Sequence, residues 1–343
     1  MSTEVATTEL ATATQNHAQA EVFTFGEPMP VLSQREIFDY LESMHNGKWY
    51  EPPLSLDGLA KVYRAAVHHG SAIQVKRNIL RSCFISHPKL SLAEFSAMAL
   101  DYLIFGNCFI EQIKNRLNKP MKYQRAAAKF CRRGVESGTF WWVPNHSEST
   151  EFTEGSVFQV MESDISQEIY GIPDYVASMN SSLLNESATL FRRRYYENGS
   201  HAGFIMYMTD TLQKEDDIKN LRKALKDSKG PGNFRNLLMY SPGGSKDGIK
   251  IIPIAEVAAK DEFLSMKNVT RDDQLAAHRV PPQLMGVMPD NVGGFGDAEK
   301  AAQVFDCNEM ESLRATFKTI NDWAGEEIIR FNPYALAAAI KPS

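Results

Sequence analysis

The spacing of apolar residues in the first half of the chain predicts helices followed by strands. Ser55 and Ser91 each precede apolar residues at helical spacing, where a serine hydroxyl can cap a helix. Ser91 forms a capping box with Glu94, and Gly106 is suited to end that helix. Beyond Gly106, apolar and polar residues alternate in short runs, which predicts an antiparallel β region. The expected strands are 107–114, 121–130, 139–143 and 156–160, followed by a helix over 173–196.

The second half of the chain alternates helices with insertions. A helix over 210–229 and another that must end before Pro281 enclose an insert, 230–253, whose two short apolar runs predict strands. After a loop rich in glycine and proline, 281–296, the apolar spacing predicts a helix over 297–329. That helix would be about 50 Å long at 1.5 Å per residue. The pattern as a whole indicates an α+β protein.

Composition places the chain among ordinary soluble globular proteins. Hydrophobic residues make up 43% and charged residues 23%, which suits a chain that folds around a core. Residues 1–22 lack aromatic residues and an apolar stripe, so we expect a disordered tail there. Neither a secretory leader nor an apolar run near the roughly 20 residues needed to span a bilayer is expected.

Charge and cysteine content add two expectations. The formal net charge is -5, so no overall basic character indicates a nucleic-acid-binding protein, and any contact with DNA must be local or loose. The four cysteines are widely spaced and form no CxxC pair, which favours reduced, buried thiols over disulfides or a nucleophile. They are Cys83, Cys108, Cys131 and Cys307.

The chain lacks the motifs of the common enzyme classes, including Walker A, HExxH, GxSxG and the kinase set. The run Gly293 to Gly296 has no strand before it, as a dinucleotide fingerprint requires. Asp216-Asp217 and Asp272-Asp273 lie in charged helices, where adjacent side chains point about 100° apart and do not converge on one ion. His68-His69 has no metal-ligating residue three or four positions away. We therefore expect no catalytic residue, cofactor or metal.

One basic and aromatic cluster stands out. Arg192, Arg193 and Arg194 are followed by Tyr195-Tyr196, a composition that can contact phosphates or stack on bases. The alternative is a helix face whose long side chains reach solvent or form ion pairs between subunits. That alternative is favoured, and both remain open from the sequence.

Six segments between Phe23 and Phe331 share their order and spacing with one protein family. They are Phe25-Gly26-Glu27-Pro28, Phe105-Gly106-Asn107-Cys108-Phe109, Tyr170-Gly171-Ile172-Pro173-Asp174-Tyr175, the run Phe191 to Gly203, Gly230-Pro231-Gly232-Asn233-Phe234-Arg235, and His278-Arg279-Val280-Pro281-Pro282-Gln283-Leu284-Met285-Gly286. Each segment alone is a weak signal, whereas their combination resembles the PBSX family of tailed-phage capsid portal proteins.

The resemblance implies a portal-protein fold and a division of the chain. Portal proteins form rings, commonly of twelve subunits, with a mixed α/β wing, a two-helix stem, a small α/β clip and a long C-terminal wing helix. The implied parts are a disordered N-terminal tail (1–22), wing (23–209), first stem helix (210–229), clip (230–253), second stem helix (254–280), tunnel loop (281–296), long wing helix (297–331) and C-terminal tail (332–343). A crown above the wing is not expected.

The resemblance also implies a function without enzymatic activity. The ring would sit at one capsid vertex of the virion, after assembly in the host cytoplasm, as the channel for double-stranded DNA during packaging and ejection. Its implied partners are other copies of itself, the DNA, the terminase large subunit, the major capsid and scaffolding proteins, and head-completion or tail proteins. Candidate channel residues are Met288, Asp290, Asn291 and Phe295, and candidate terminase-docking residues are Asn233, Phe234, Arg235, Tyr240 and Lys246.

Two other functions remain possible at this point. A metal-dependent nucleic-acid-processing enzyme built on scattered carboxylates would show metal-dependent turnover. A capsid or scaffold component other than a portal would share the charged helices but not an insert between two stem helices.

Overall fold

The computed structural model describes residues 21–22, 44–145, 148–165, 167–197, 204–208, 237–240, 249–253, 259–287 and 297–338. They belong to two units, a larger one of Pro30–Thr189 and Glu262–Ser343 and a smaller one of Met1–Met29 and Leu190–Asp261. In chain order the elements are β1 (Glu21–Val22), α1 (Leu56–Ala65), α2 (Val67–Cys83), β2 (Phe84–Ile85), α3 (Leu92–Phe105), β3 (Asn107–Lys114), β4 (Pro120–Ala126), β5 (Cys131–Arg133), β6 (Phe140–Asn145), β7 (Glu148–Glu151), β8 (Val157–Met161), α4 (Met179–Glu197), β9 (Phe204–Met208), β10 (Leu237–Tyr240), β11 (Ile249–Pro253), α5 (Ala259–Ala277), α6 (Ala298–Phe305), α7 (Glu311–Ala324), β12 (Arg330–Phe331) and α8 (Ala335–Ala338).

The predicted helix caps are present at α1 and α3. Ser55 Oγ accepts from the N–H of Gly58 at 3.1 Å, and Ser91 Oγ accepts from the N–H of Glu94 at 3.2 Å. The Glu94 carboxylate, predicted to complete a capping box with Ser91, instead accepts from the backbone N–H of Arg125 at 2.8 Å and ties the start of α3 to β4. These hydroxyls satisfy amide groups that the first helical turn leaves without partners.

Gly106 ends α3 in the left-handed conformation, with φ of 66°, as its position after the apolar stripe predicted. A Cβ at this residue would lie 2.7 Å from the carbonyl carbon of Ile172. The glycine therefore allows both the turn and the close approach of the segment that precedes α4.

The antiparallel β region is confirmed, in two three-stranded sheets. One sheet has the order β4-β3-β8 and the other β5-β6-β7, with every pairing antiparallel. The expected strand over 121–130 is shorter, because β4 ends at Ala126 and a 3-10 turn follows at Ala128–Phe130. The short strands β5 and β7 were not predicted.

Two apolar clusters form the core of the larger unit. In the first, Phe95 of α3 stacks on Phe84 at 4.1 Å between ring centroids and meets Phe317 of α7 edge-on. In the second, residues of α1 pack with Phe109, Phe140 and others from the two sheets. Both α2 and α3 contribute side chains to the two clusters and so connect them.

The expected helix from residue 297 is shorter and less regular than predicted. Asp297 caps α6 through the N–H of Lys300 at 3.0 Å, and a π-helical turn, Asp306–Met310, connects α6 to α7. The helix ends at Gly325, with φ of 68°, and not at Ile329. The following residues form β12, which pairs with β2. The segment 297–331 is thus not one long helix throughout.

The smaller unit contains one four-stranded sheet with the order β1-β10-β9-β11. Both strands expected in the insert 230–253 are present as β10 and β11, but they do not pair with each other. They flank β9, which is parallel to β10 and antiparallel to β11. Residues 21 and 22, expected in a disordered tail, form β1. The expected first stem helix, 210–229, lies outside the described residues, as do residues 254–258 at the start of the second.

None of the helices in the described parts of the chain is long and apolar enough to cross a bilayer.

Candidate functional site

Few of the residues singled out from the sequence fall within the described residues. Arg192 and Arg193 are exposed on α4, and Arg194 follows in the same helix. Tyr240 lies in β10, in register with Met208 of β9. The residues that lie outside the described parts are Met288, Asp290, Asn291 and Phe295 of the expected tunnel loop, and Asn233, Phe234, Arg235 and Lys246 of the expected clip.

The structure does describe both ends of the expected tunnel loop. On the first side, α5 ends in a Schellman motif, in which Arg279 N–H donates to Ala276 and Val280 N–H donates to Leu275. Arg279 takes the left-handed conformation, with φ of 55°, where glycine is usual. This costs roughly 1–2 kcal/mol for a residue with a Cβ, so other contacts must hold Arg279 there.

Those contacts come from the carboxylates of Glu309 and Asp174. Together with Arg279 and Lys76, these side chains form what we call the loop anchor. Arg279 Nε donates to Glu309 Oε2 at 2.6 Å, and Arg279 also pairs with Asp174. Lys76 Nζ donates to the other oxygen of Glu309 at 2.5 Å. Glu309 lies in the π-helical turn beyond the loop, whereas Arg279 precedes the loop. The anchor therefore joins the two sides of residues 281–296 and ties them to α2.

Two of the four charged side chains of the loop anchor are buried, while Arg279 and Asp174 are exposed. Lys76 is 3% and Glu309 6% exposed. Burial opposes ionisation of Glu309, but the nearby Lys76 and Arg279 cations outweigh it and lower the pKa of the carboxyl. Burial also lowers the pKa of Lys76, and the Glu309 carboxylate opposes this shift. A buried pair of this kind is costly to break, because removing one partner leaves the other charge without compensation.

Two buried histidines lie beside the loop anchor. His69 Nδ1 of α2 lies 2.9 Å from His278 Nε2, and the Tyr175 ring meets His69 edge-on with centroids 4.5 Å apart. Burial lowers the pKa of His69 to about 4 and shifts that of His278 further down, with His69, Lys76 and Arg279 adding to the effect. Both rings are thus neutral near pH 7 and share one hydrogen bond, in which one ring donates and the other accepts.

Among the other candidates for chemistry, Asp216-Asp217 lies outside the described residues, and Asp272-Asp273 and Cys108 make structural contacts. Asp272 pairs with Arg271 at 2.9 Å, and Asp273 accepts from Ser181 at 2.7 Å. Among the described residues there is no group of three or more side chains that could hold a metal ion. Cys108 is fully buried, and burial raises the pKa of its thiol well above the ordinary value, as expected for a packed thiol.

One cysteine departs from the expectation. Cys83, Cys108 and Cys131 are buried, but Cys307 is exposed in the π-helical turn. The sequence placed all four thiols in the core because cysteine is usually buried, and nothing in the local pattern marked residue 307 as an outward position.

The loop anchor itself was not predicted from the sequence. Its partners are far apart in the chain, since Lys76 and Glu309 are separated by 233 residues. The only signal was the segment beginning His278-Arg279, which carried the family resemblance without indicating what either side chain contacts.

Comparison with known proteins identifies close relatives in sequence. The chain is 54% identical over 325 residues to the probable portal protein of Escherichia phage P2, covering 95% of this chain and 94% of the relative. It is 33% identical over 282 residues to the probable portal protein of Haemophilus phage HP1, covering 80% and 82% of the two chains. No family model matches the chain.

Solved structures support the fold. An HK97-family phage portal protein from Corynebacterium diphtheriae is 14% identical, with a TM-score of 0.56 over 82% of this chain and 97% of that one. A chain in the neck of a native gene transfer agent particle, computed with C12 symmetry, is 12% identical, with a TM-score of 0.59 over 84% and 88%. The sequence relatives show that the chain belongs to the phage portal proteins, structural and non-enzymatic components of the virion at the capsid vertex.

Proposed function

We propose that this portal protein forms a ring of about twelve copies through which double-stranded DNA passes during packaging and ejection. The neck of the gene transfer agent particle, which contains a chain of similar fold, was computed with C12 symmetry, and this supports a ring of that size. The net charge of -5 per chain gives the ring an acidic character. Such a channel binds the phosphate backbone loosely, so DNA can move without breaking strong contacts at each step.

Residues 281–296 are proposed as the tunnel loop that faces DNA. The observation that carries this proposal is the bond between Arg279, which precedes the loop, and Glu309, in the turn after α6, because it holds together the elements on either side of the loop. A loop whose flanking elements are held together can change conformation while those elements stay in place. Gly293, Gly294 and Gly296 permit backbone conformations that other residues resist. Met288, Asp290, Asn291 and Phe295 are the proposed DNA-facing residues.

The clip is proposed as the docking site for the terminase large subunit and, later, for head-completion or tail proteins. Its proposed range is 230–253, with contacts from Asn233, Phe234, Arg235, Tyr240 and Lys246. The pairing of β10 and β11 with β9 supports including Phe204–Met208 in the same folded part. Contacts of the wing with the major capsid and scaffolding proteins are proposed on the family resemblance alone.

Arg192, Arg193 and Arg194 are proposed as contacts to a neighbouring subunit or to DNA phosphates. The exposure of Arg192 and Arg193 on α4 supports a role at a surface. Membership of the PBSX group within the portal proteins is likewise a proposal, supported by the order of the six segments that carry the resemblance.

The tunnel-loop proposal is tested by the triple substitution Asp290→Ala, Asn291→Ala and Phe295→Ala in a phage that packages DNA. We expect rings that assemble normally, as seen by negative-stain microscopy, and capsids that contain less DNA. The matched control replaces Glu311, Ser312 and Lys318, three exposed residues of α7, by alanine. Unchanged packaging in the loop variant would refute the proposal, whereas an absence of rings from the unmodified protein would refute the ring itself.

A further inference from the structure

The turn between β3 and β4 carries a dense set of cations, which we call the basic hairpin (residues 114–122). Within this stretch there are four cations and no carboxylate, in a chain whose net charge is negative. Lys122 approaches Glu94 at 4.0 Å, while the other three cations make no ion pair with any described residue. All four are exposed: Lys114, Arg116, Lys119 and Lys122.

The basic hairpin is held rigid by its own hydrogen bonds. Asn115 Oδ1 accepts from the N–H groups of Leu117 at 2.9 Å and Lys119 at 3.0 Å. Asn115 N–H donates to the Lys119 carbonyl at 2.9 Å, and Asn118 takes a left-handed conformation with φ of 60°. Because the backbone is already fixed, a partner that binds the cations loses little free energy to ordering the turn.

Two apolar side chains accompany the cations. Leu117 is 77% and Met121 58% exposed. A contact with phosphate groups alone would leave both in water. A protein surface with acidic side chains around apolar ones would bury them and neutralise the cations, as protein interfaces with an apolar core and a polar rim do. The combination therefore favours a protein partner over nucleic acid.

The same chain offers a surface of the complementary kind. All four residues of β7 are exposed, and the strand pairs only with β6 among the described strands. With Glu154, its residues Glu148 and Glu151 form what we call the acidic edge, which contains no cation among its described residues. The half-buried Trp141 is in register with Glu151 on the neighbouring strand, and the part of its ring that Lys48 and Trp49 leave uncovered supplies adjacent apolar surface.

We propose that the basic hairpin of one subunit docks on the acidic edge of its neighbour in the ring. The inference rests on the ring of the proposed function and names residues that hold it together. A head-to-tail contact between two different surfaces, repeated around a closed ring, uses both surfaces on every copy. The neighbour buries Leu117 and Met121 and brings the cations next to carboxylates.

Charge exchange in the full-length chain tests this interface. One variant carries Arg116→Glu and Lys119→Glu, a second carries Glu148→Lys and Glu151→Lys, and a third carries all four changes. Ring formation is followed by mass photometry as a function of subunit and salt concentration. Each double variant is expected to need about tenfold more subunit for half assembly at low salt, since exposed ion pairs contribute modestly and are screened. The fourfold variant restores the ion pairs with inverted sign and is expected to assemble nearly as the unmodified chain does.

The matched control reverses two other exposed cations, Lys61→Glu and Lys318→Glu, and is expected to leave assembly unchanged. Circular dichroism checks that every variant is folded.

If the first variant assembles like the unmodified chain, the basic hairpin is not at the interface. If it assembles normally but binds a double-stranded DNA fragment more weakly, the hairpin is a DNA contact and the proposal is wrong. Failure of the fourfold variant to recover excludes the acidic edge as the partner. If the unmodified chain forms no rings, both the proposed function and this interface are wrong.

Discussion

Arg279 and Glu309 are joined by a bond of 2.6 Å between Nε and Oε2, although residues 281–296 lie between them in the chain. Arg279 occupies a left-handed position and Glu309 a π-helical turn, both of which are irregular conformations. Such irregularities persist where surrounding contacts fix them, and they are frequent at functional sites. The elements before and after the loop are thus held together by a side-chain bond.

Removal of the Glu309 charge is expected to destabilise the protein strongly. Glu309→Gln leaves the buried Lys76 ammonium without its counter-ion, which typically costs about 3–5 kcal/mol. Urea unfolding followed by tryptophan fluorescence measures the loss. The double variant Lys76→Met, Glu309→Met removes both buried charges and should be closer to the unmodified protein than the single variant is. As a control, Glu311→Gln at an exposed site of α7 should change the free energy of unfolding by no more than about 0.5 kcal/mol. Equal losses for Glu309→Gln and Glu311→Gln would contradict the role of the anchor.

Stability is expected to fall on acidification because of the histidine pair. In the folded chain the pKa of His69 is about 4, whereas an unfolded histidine has a pKa of about 6.5. Between these values the unfolded state binds more protons, so the free energy of unfolding decreases as the pH is lowered from about 6.5 to 4. The contribution of His69 is about 3 kcal/mol over that window. Unfolding measured at several pH values in the unmodified protein and in His69→Asn tests this, with a smaller slope expected in the variant. His45→Asn, at an exposed histidine, is the control, and a slope unaffected by His69→Asn would count against the assignment.

Substitution of Gly106 is expected to destabilise the junction between α3 and β3. In Gly106→Ala the new Cβ meets the Ile172 backbone at 2.7 Å and the residue must keep a φ of 66°. Together these effects should cost about 3 kcal/mol. Gly155→Ala provides a matched control, because Gly155 has a φ of 68° but no atom within 4 Å of the added Cβ. It should cost only about 1 kcal/mol. Thermal unfolding compares the two variants. Similar melting temperatures would show that the close approach of Ile172 to residue 106 does not add to the cost.

Replacement of Asn107 by Asp is expected to disrupt the contact between β3 and the segment before α4. The Asn107 amide donates to the carbonyls of Phe105 and Gly171, both at 2.8 Å, while its Oδ1 accepts from the Gly171 N–H. An aspartate would place an oxygen against those carbonyls in a buried site, at a cost of about 3 kcal/mol. In the exposed Asn115→Asp control the oxygen still accepts both backbone N–H groups, so little change is expected. Chemical denaturation measures the free energy of unfolding of both variants. An Asn107→Asp protein as stable as the unmodified one would refute the expectation.

Local signals were sufficient for part of the fold. The caps of α1 and α3 and the turn at Gly106 depend on residues within a few positions of each other, so the sequence indicated them correctly. Helix α2 was missed because its buried face includes His69 and Lys76, which interrupt the apolar stripe. The early end of α7 was also missed, since Asn321 reaches forward to bond with Ile328 and Ile329, a contact that spacing does not reveal.

The loop anchor could not be predicted from the sequence for a related reason. Whether Glu309 faces solvent or Lys76 depends on how α2 and the π-helical turn pack, and no local pattern encodes that. The family resemblance, in contrast, depended on the order of segments along the whole chain. It therefore identified a portal protein, whereas the loop and clip residues that it implied stay predictions, since Tyr240 alone among them lies in the described part of the chain.

The pairing of β12 with β2 has a consequence for synthesis on the ribosome. Phe331 lies in register with Phe84, and Phe317 completes the cluster around Phe95, so early and late parts of the chain share one core. Contacts between residues so distant in sequence form slowly and only after both partners exist. While the ribosome is still adding residues between them, the apolar surface of α3 stays partly uncovered. A nascent subunit can therefore complete this core and become competent for assembly only after the ribosome has added Phe331.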